Sequence, residues 1–227
     1  MIHDDGIDTD RYLVQPRSRA VARIGSERHP GRMRYTPEQR QATRAKMVAA
    51  ALRSFRERGN AGVGVDALAK AAGVTSGAFY AHFKSKAEAF RVAISSGMDE
   101  LREAIESHRA SGERDWARDF VEFYFTRNIG RDLEDVCVLP TLTMDIARAE
   151  PEVRQAYQEH LREAVTSLAE GIPGDSAADR QARAWVMMAL FAGGTALARA
   201  VEDPALRNRI ARTVREAALV YASGDPE

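Results

Sequence analysis

The residues best suited to chemistry lie in the run TSGAFYAHFKSK, from Thr75 to Lys86. Thr75 and Ser76 carry hydroxyls that donate to or accept from several base edges, and the Ala78 methyl fits against a thymine methyl. Gly77 is small enough for two helices to cross closely beside it. Tyr80, His82 and Lys86, with Arg44 upstream, are the candidate phosphate contacts. Lys86 also stands at a predicted helix start, where free backbone N–H groups favour an anion. No residue of the run offers the bidentate arginine–guanine contact, so more of the affinity is expected from phosphates and some specificity from DNA shape.

A second group lies further along the chain. Trp116, Phe120, Phe123 and Tyr124 share an apolar helix face and, with the single cysteine, Cys137, are the candidate lining of a small-molecule pocket. A cysteine at a helix start can have a lowered pKa, but Asp132, Glu134 and Asp135 nearby oppose that. Trp185, Met188, Gly193, Val214 and Ala218 are candidate dimer contacts, with small residues permitting close helix approach. His108 and His160 read as exposed helix residues, with no second histidine at metal-ligand spacing from either, so no metal site is expected. No dinucleotide-binding glycine pattern, phosphate loop or zinc-protease pattern is present, and no cofactor or enzymatic activity is expected.

These groups must be positioned by helices. Thr36-Pro37-Glu38-Gln39 is a helix start, with threonine as cap and proline at the first helical position, and Gly59 is the stop. Met47, Val48, Ala51, Leu52 and Phe55 form its apolar face, while Arg40, Arg44, Lys46, Arg53 and Arg56 take the other. Residues 65–72 and 75–83 are two short helices joined by the turn Gly73-Val74, the helix-turn-helix pattern. Ser85 and Glu88 form a capping box that opens a helix to residue 108. Further helices are expected over 116–129, 137–147, 151–170, 177–201 and 204–222, about nine in all. No alternating strand-like run occurs, so the class is all-α.

Composition narrows the partners. The 227 residues carry 33 basic and 33 acidic side chains. That zero is a cancellation: residues 1–91 hold 17 Lys or Arg against 9 Asp or Glu, so the remainder is as acidic as this part is basic. A basic third attracts a polyanion and an acidic remainder is repelled by it. One cysteine forms no internal disulfide and points to a reduced, cytoplasmic setting. The longest uncharged run, Ala184 to Ala198, has 15 residues, short of the ~18 needed to span a membrane.

The run from Val65 to Lys86, with its turn glycine, its small-residue helix, the Phe79-Tyr80-x-His82-Phe83 cluster and the closing Ser85-Lys86, resembles the DNA-binding signature of the TetR family of transcriptional regulators. The resemblance covers about 50 residues, Pro37 to Phe90. It implies an all-helical homodimer that binds double-stranded DNA at a palindromic operator, with a divergent C-terminal region holding a small-molecule effector pocket and the dimer interface. Gly64 stands where the family usually has a Ser or Thr cap, and Ser76 and Ala78 where Lys and Thr are frequent. The stretch from Asp135 to Pro140 is similar to a subgroup in which a cysteine opens a ligand-domain helix, and some of whose members sense electrophiles or oxidants. Here Val136 replaces the subgroup's glycine.

The expected organisation is therefore a disordered arginine-rich tail over 1–34, a helix-turn-helix domain over 35–84 and a helical ligand-binding and dimerisation domain over 85–223. Arg17, Arg19, Arg23, Arg28, Arg32 and Arg34 of the tail are the groups that a minor-groove arm would use. The expected function is a ligand-responsive repressor. One alternative is a thiol-based sensor acting through Cys137; another, of a different class, is a helical-bundle enzyme or small-molecule carrier.

Overall fold

The structure, a computed structural model, describes residues 36–223. The tail and its arginines lie outside the described residues. Among those described, all regular structure is helical: α1 (Pro37–Arg58), α2 (Val65–Ala71), α3 (Ser76–Tyr80), α4 (Lys86–Ala110), α5 (Trp116–Ile129), a 3-10 turn (Leu133–Asp135), α6 (Val138–Ala147), α7 (Pro151–Ala169), α8 (Ala177–Ala189), a π-helical segment (Leu190–Gly194), α9 (Thr195–Arg199) and α10 (Pro204–Ser223). None of these helices is long and apolar enough to cross a membrane.

Capping explains several boundaries. The Thr75 hydroxyl accepts from the Ala78 N–H and opens α3; the Ser85 hydroxyl accepts from the Glu88 N–H and opens α4. The Glu88 carboxylate in turn accepts from the Lys84 N–H at 2.6 Å. Gly73 turns the chain between α2 and α3 with φ +68°, a conformation costly for any residue with a Cβ. Helix α3 stops at Tyr80, short of the expected Phe83, because Ala81 and His82 close the last turn with i to i−3 bonds. The expected single helix over 177–201 is interrupted by the π-helical segment and ends at Arg199.

Helix α4 is the spine. It packs against α1, α5 and α7, and one hydrophobic core runs from Phe55 and Phe90 to Phe120, Tyr124 and Phe191. The basic helices and the acidic bundle thus share a core across residues 84 and 85. Close approach depends on two helical glycines. A Cβ on Gly97 would stand 2.3 Å from Val138 Cγ1 and 3.2 Å from Leu52 Cδ1, so α1, α4 and α6 converge on an atom that must be missing. A Cβ on Gly194 would stand 2.2 Å from Val214 Cγ1 of α10. Arg199 closes the other end of α5 by donating to the carbonyls of Asn128, Ile129 and Arg131.

Gly97→Ala is expected to destabilise the fold. Helix propensity alone favours alanine by roughly 1 kcal/mol, but overpacking at this contact costs about 1–3 kcal/mol. A lowered urea midpoint with an unchanged m-value is the expected result. A raised midpoint would show that α6 yields freely.

Candidate nucleic-acid interface and effector cavity

The helix-turn-helix presents a small, neutral tip. Thr75, Gly77 and Tyr80 are exposed, with Tyr80 at 56%, and Ser76 and Ala78 are half-buried. The two candidate base-reading hydroxyls already have work inside the chain: Thr75 caps α3, and Ser76 Oγ donates to Asp66 Oδ1 at 2.6 Å. Each keeps capacity for one further bond, Thr75 as donor and Ser76 as acceptor.

The basic side chains are similarly engaged. Lys86 Nζ donates to the carbonyls of Asn60 at 2.6 Å and Val63 at 3.0 Å, pinning the loop between α1 and α2 to the start of α4. One of its three N–H bonds is left for a phosphate. The Arg44 guanidinium lies 5.2 Å over the Phe83 ring, a cation–π contact that holds it beside His82. Burial, with Arg40 and Arg44 nearby, lowers the His82 pKa. The imidazole is neutral at pH 7 in the free chain, and its neighbours leave a positive edge on which an anion would recharge it.

Among the described residues a small cavity of about 40 Å³ lies between α1, α4, α5 and the start of α6. Phe120, Phe123, Tyr124 and Cys137 line it together, so four of the five candidate pocket residues meet. Trp116 does not join them. It packs on Gly171, where a Cβ would stand 2.6 Å from its ring, and it borders a separate open groove.

Arg56 is the residue sequence reasoning missed. Periodicity assigns it to the solvent face of α1, yet it is 7% exposed, donates through Nη2 to Glu100 Oε2 at 2.7 Å, and lines the cavity. The signal that could have found it is a large acidic residue on α4 near Gly97. His108 is half-buried rather than exposed: its Nδ1 lies 2.7 Å from the Ala104 carbonyl and its ring 4.8 Å from that of Phe123. His160 is also half-buried, 3.2 Å from Asp99 and 3.6 Å from Glu163, in a network that the Arg102 guanidinium joins. The guanidinium lies 3.7 Å from Asp99 Oδ1 and 4.0 Å from Glu163 Oε2.

Cys137 precedes α6 and donates its backbone N–H to Asn128 Oδ1 at 2.7 Å. Its thiol lies beside the Tyr124 hydroxyl. Burial pushes the thiol pKa up, with the Leu139 N–H, the Tyr124 hydroxyl and Arg56 opposing only in part. The thiolate is the nucleophile, and this setting disfavours it.

Of the candidate dimer residues, Met188 and Ala218 are buried in the chain's own core, Val214 is half-buried against Gly194, and Trp185 and Gly193 face outward. A residue without accessible surface has nothing to offer a second chain, so Met188 and Ala218 serve the core instead.

Residues 47–93 match the family profile described as "Bacterial regulatory proteins, tetR family". That segment is similar to the DNA-binding part of tetR-family regulators. Over 78 residues it is 42% identical to the HTH-type transcriptional regulator TtgR of Pseudomonas putida, a match covering 33% of this chain and 37% of that one. Over 57 residues it is 44% identical to the HTH-type transcriptional regulator AcrR of Shigella flexneri, covering 25% and 26%. The chain thus spans about a third of the length of the curated relatives it matches. Beyond that stretch the likeness is one of fold. Reduced E. coli NemR superposes with a TM-score of 0.65 at 19% identity, over 77% of this chain and 96% of that one. A TetR-family regulator from Cytophaga hutchinsonii gives 0.67 at 16% identity, over 85% and 100%.

The Cys137 environment makes a direct prediction. At pH 7 a disulfide reagent such as DTNB should modify the native chain at least about tenfold more slowly than the urea-unfolded chain. Equal rates would mean that the thiol is neither buried nor held protonated.

Proposed function

We propose that this protein is a ligand-responsive transcriptional repressor that binds a palindromic operator as a homodimer and is released by a small molecule. The observation that carries the reading is the helix-turn-helix itself. A capped five-residue α3 presents Thr75, Gly77 and Tyr80 outward on the basic part of an otherwise acidic chain, and that segment is the one matching the tetR family. The small tip fits a major groove, where Ser, Thr and Ala side chains meet base edges. The regulator reading also places the protein in the cytoplasm with the DNA. The two quoted relatives are named as transcriptional regulators, which favours this reading over an enzyme or carrier.

Dimerisation has its own support. Trp185 is 41% and Leu197 63% exposed, with Val186 and Val220 also outward, on the same α8–α10 end of the bundle that was expected to pair. Pairing of this end would take these large apolar side chains out of water. Two-fold pairing there would present two α3 helices to major-groove faces about 34 Å apart. Leu197→Arg should move the sedimentation coefficient from dimer towards monomer and weaken operator binding. An unchanged dimer would remove this face from the proposal.

Operator binding should show a steep loss of affinity with salt and clear preference for a palindrome over random sequence. Sequence-independent binding at every salt concentration would overturn the repressor reading. A pH dependence follows from His82. A phosphate beside the imidazole raises its depressed pKa, so binding takes up a proton and affinity rises as pH falls from about 7.5 towards 5.5. The gain disappears at higher pH, where free and bound imidazole are both neutral. His82→Gln should flatten the profile; an identical slope in that variant would assign the proton to another group.

A further inference from the structure

The helix-turn-helix holds two neighbouring hydroxyls that are polarised in opposite senses. Thr75 Oγ spends a lone pair on the Ala78 N–H at 3.2 Å and keeps its own proton. Ser76 Oγ does the reverse: it spends its proton on Asp66 Oδ1 at 2.6 Å and keeps only lone pairs. Asp66 is an exposed residue in the first turn of α2, and it reaches across the turn to the first residue of α3. Ser76 is half-buried, so part of its surface still faces outward.

This bond is hard to exchange. A hydrogen bond onto a carboxylate is about twice as strong as one between neutral groups, so a neutral base acceptor gains less from the Ser76 proton than Asp66 loses with it. Charge alone gives no reason for an acid here. Residues 1–91 are basic by 17 to 9, and a carboxylate beside α3 subtracts from their attraction for a polyanion. A carboxylate in the first turn does favour the start of α2 through the helix dipole. That structural role is the one from which a recognition role has to be told apart.

A hydroxyl without a free proton reads a narrow set of bases. The only donors that bases present in the major groove are the exocyclic amines, N6 of adenine and N4 of cytosine; N7 and O6 of guanine, N7 of adenine and O4 of thymine all accept. Ser76 and Asp66 together present lone pairs. These meet an amine favourably and meet a keto oxygen as one acceptor facing another. Thr75, with its proton free, carries no such restriction against keto bases.

We infer, on the operator-binding reading above, that Asp66 is a specificity-determining residue outside α3: by holding the Ser76 proton it restricts the operator base opposite Ser76 to adenine or cytosine. Asp66 acts as a positioning residue and needs no contact with DNA of its own. The restriction works by exclusion, because guanine and thymine meet unrelieved repulsion at that place.

The test starts with the full chain selecting a palindrome from a randomised duplex pool. Each half-site base is then replaced in turn, symmetrically in both halves, with affinities read by fluorescence anisotropy. The native chain should show one position at which adenine and cytosine are bound at least about tenfold more tightly than guanine and thymine. In Asp66→Ala the freed hydroxyl donates as well as accepts, so that ratio should fall to about threefold or less while preferences elsewhere in the half-site hold. Overall affinity should hold or rise, because a negative charge has left. A uniform loss on every sequence with the ratio intact would make Asp66 a structural residue of α2 only. Ser76→Ala should lose the same preference, and adding Asp66→Ala to it should change no preference further, the nonadditivity expected when one residue acts through another. Ser76→Ala also serves if Asp66→Ala fails to fold. A native chain with no amine-preferring position, or a ratio that survives either substitution, overturns the inference and leaves the repressor reading standing, since a palindrome has still been selected. Selection of no sequence at all sinks both.

Discussion

The fold turns on one absent carbon. At Gly97 three helices meet so closely that a Cβ would stand inside the Val138 side chain and press on Leu52 and Arg56. Because the glycine lies mid-helix on α4, it gives up roughly 1 kcal/mol of helix propensity relative to alanine. What it gains is convergence: α1 carrying the helix-turn-helix, α4 as spine, and the start of α6 carrying Cys137, all within reach of one cavity. The Arg56–Glu100 pair sits against the same glycine, so the cavity's one buried cation belongs to the part of the chain that would meet DNA.

A second link between the two parts runs through polar contacts at the surface. Asp145 of α6 accepts from the Asn60 N–H at 3.1 Å, next to Gly59 with its positive φ of 69°. The Asn60 carbonyl then receives Lys86 from the first turn of α4. The loop between α1 and α2 is therefore held from both sides, by α6 and by α4. Under the proposed repressor reading, a shift of α6 relative to α4 would strain these two bonds to Asn60.

Much of this was legible in the residue pattern, and the parts that were not share a cause. Caps and breakers are local, so Thr75, Ser85, Gly59 and Pro151 mark their helix ends to within a residue, and α5 begins and ends where periodicity places it. Phe120, Phe123 and Tyr124 were grouped from one helix face and do meet at the cavity. Arg56 was misplaced because periodicity assigns charged residues to solvent, and only a partner 44 positions away makes burial tolerable. Trp116 left the pocket because Gly171, equally remote in sequence, opens a slot for its ring. The expected helix over 177–201 is interrupted by a π-helical segment whose last residue, Gly194, packs against Val214 of α10, equally remote in sequence.

The polar inventory of the helix-turn-helix carries this logic to its end. Thr75, Ser76 and Lys86 were singled out for what they could offer to DNA, and each is engaged first within the chain. In the proposed operator complex such engagement would prepare recognition and not compete with it. A hydroxyl fixed by an intramolecular bond presents its remaining donor or acceptor in one direction, and the ordering entropy is spent in folding rather than on contact with DNA. With no arginine fork in α3, the proposed base readout would lean on this pre-orientation, beside the specificity expected from DNA shape. The neutral, weakly hydrogen-bonding tip and the rigidly held hydroxyls are two sides of one solution: few contacts, each placed in advance.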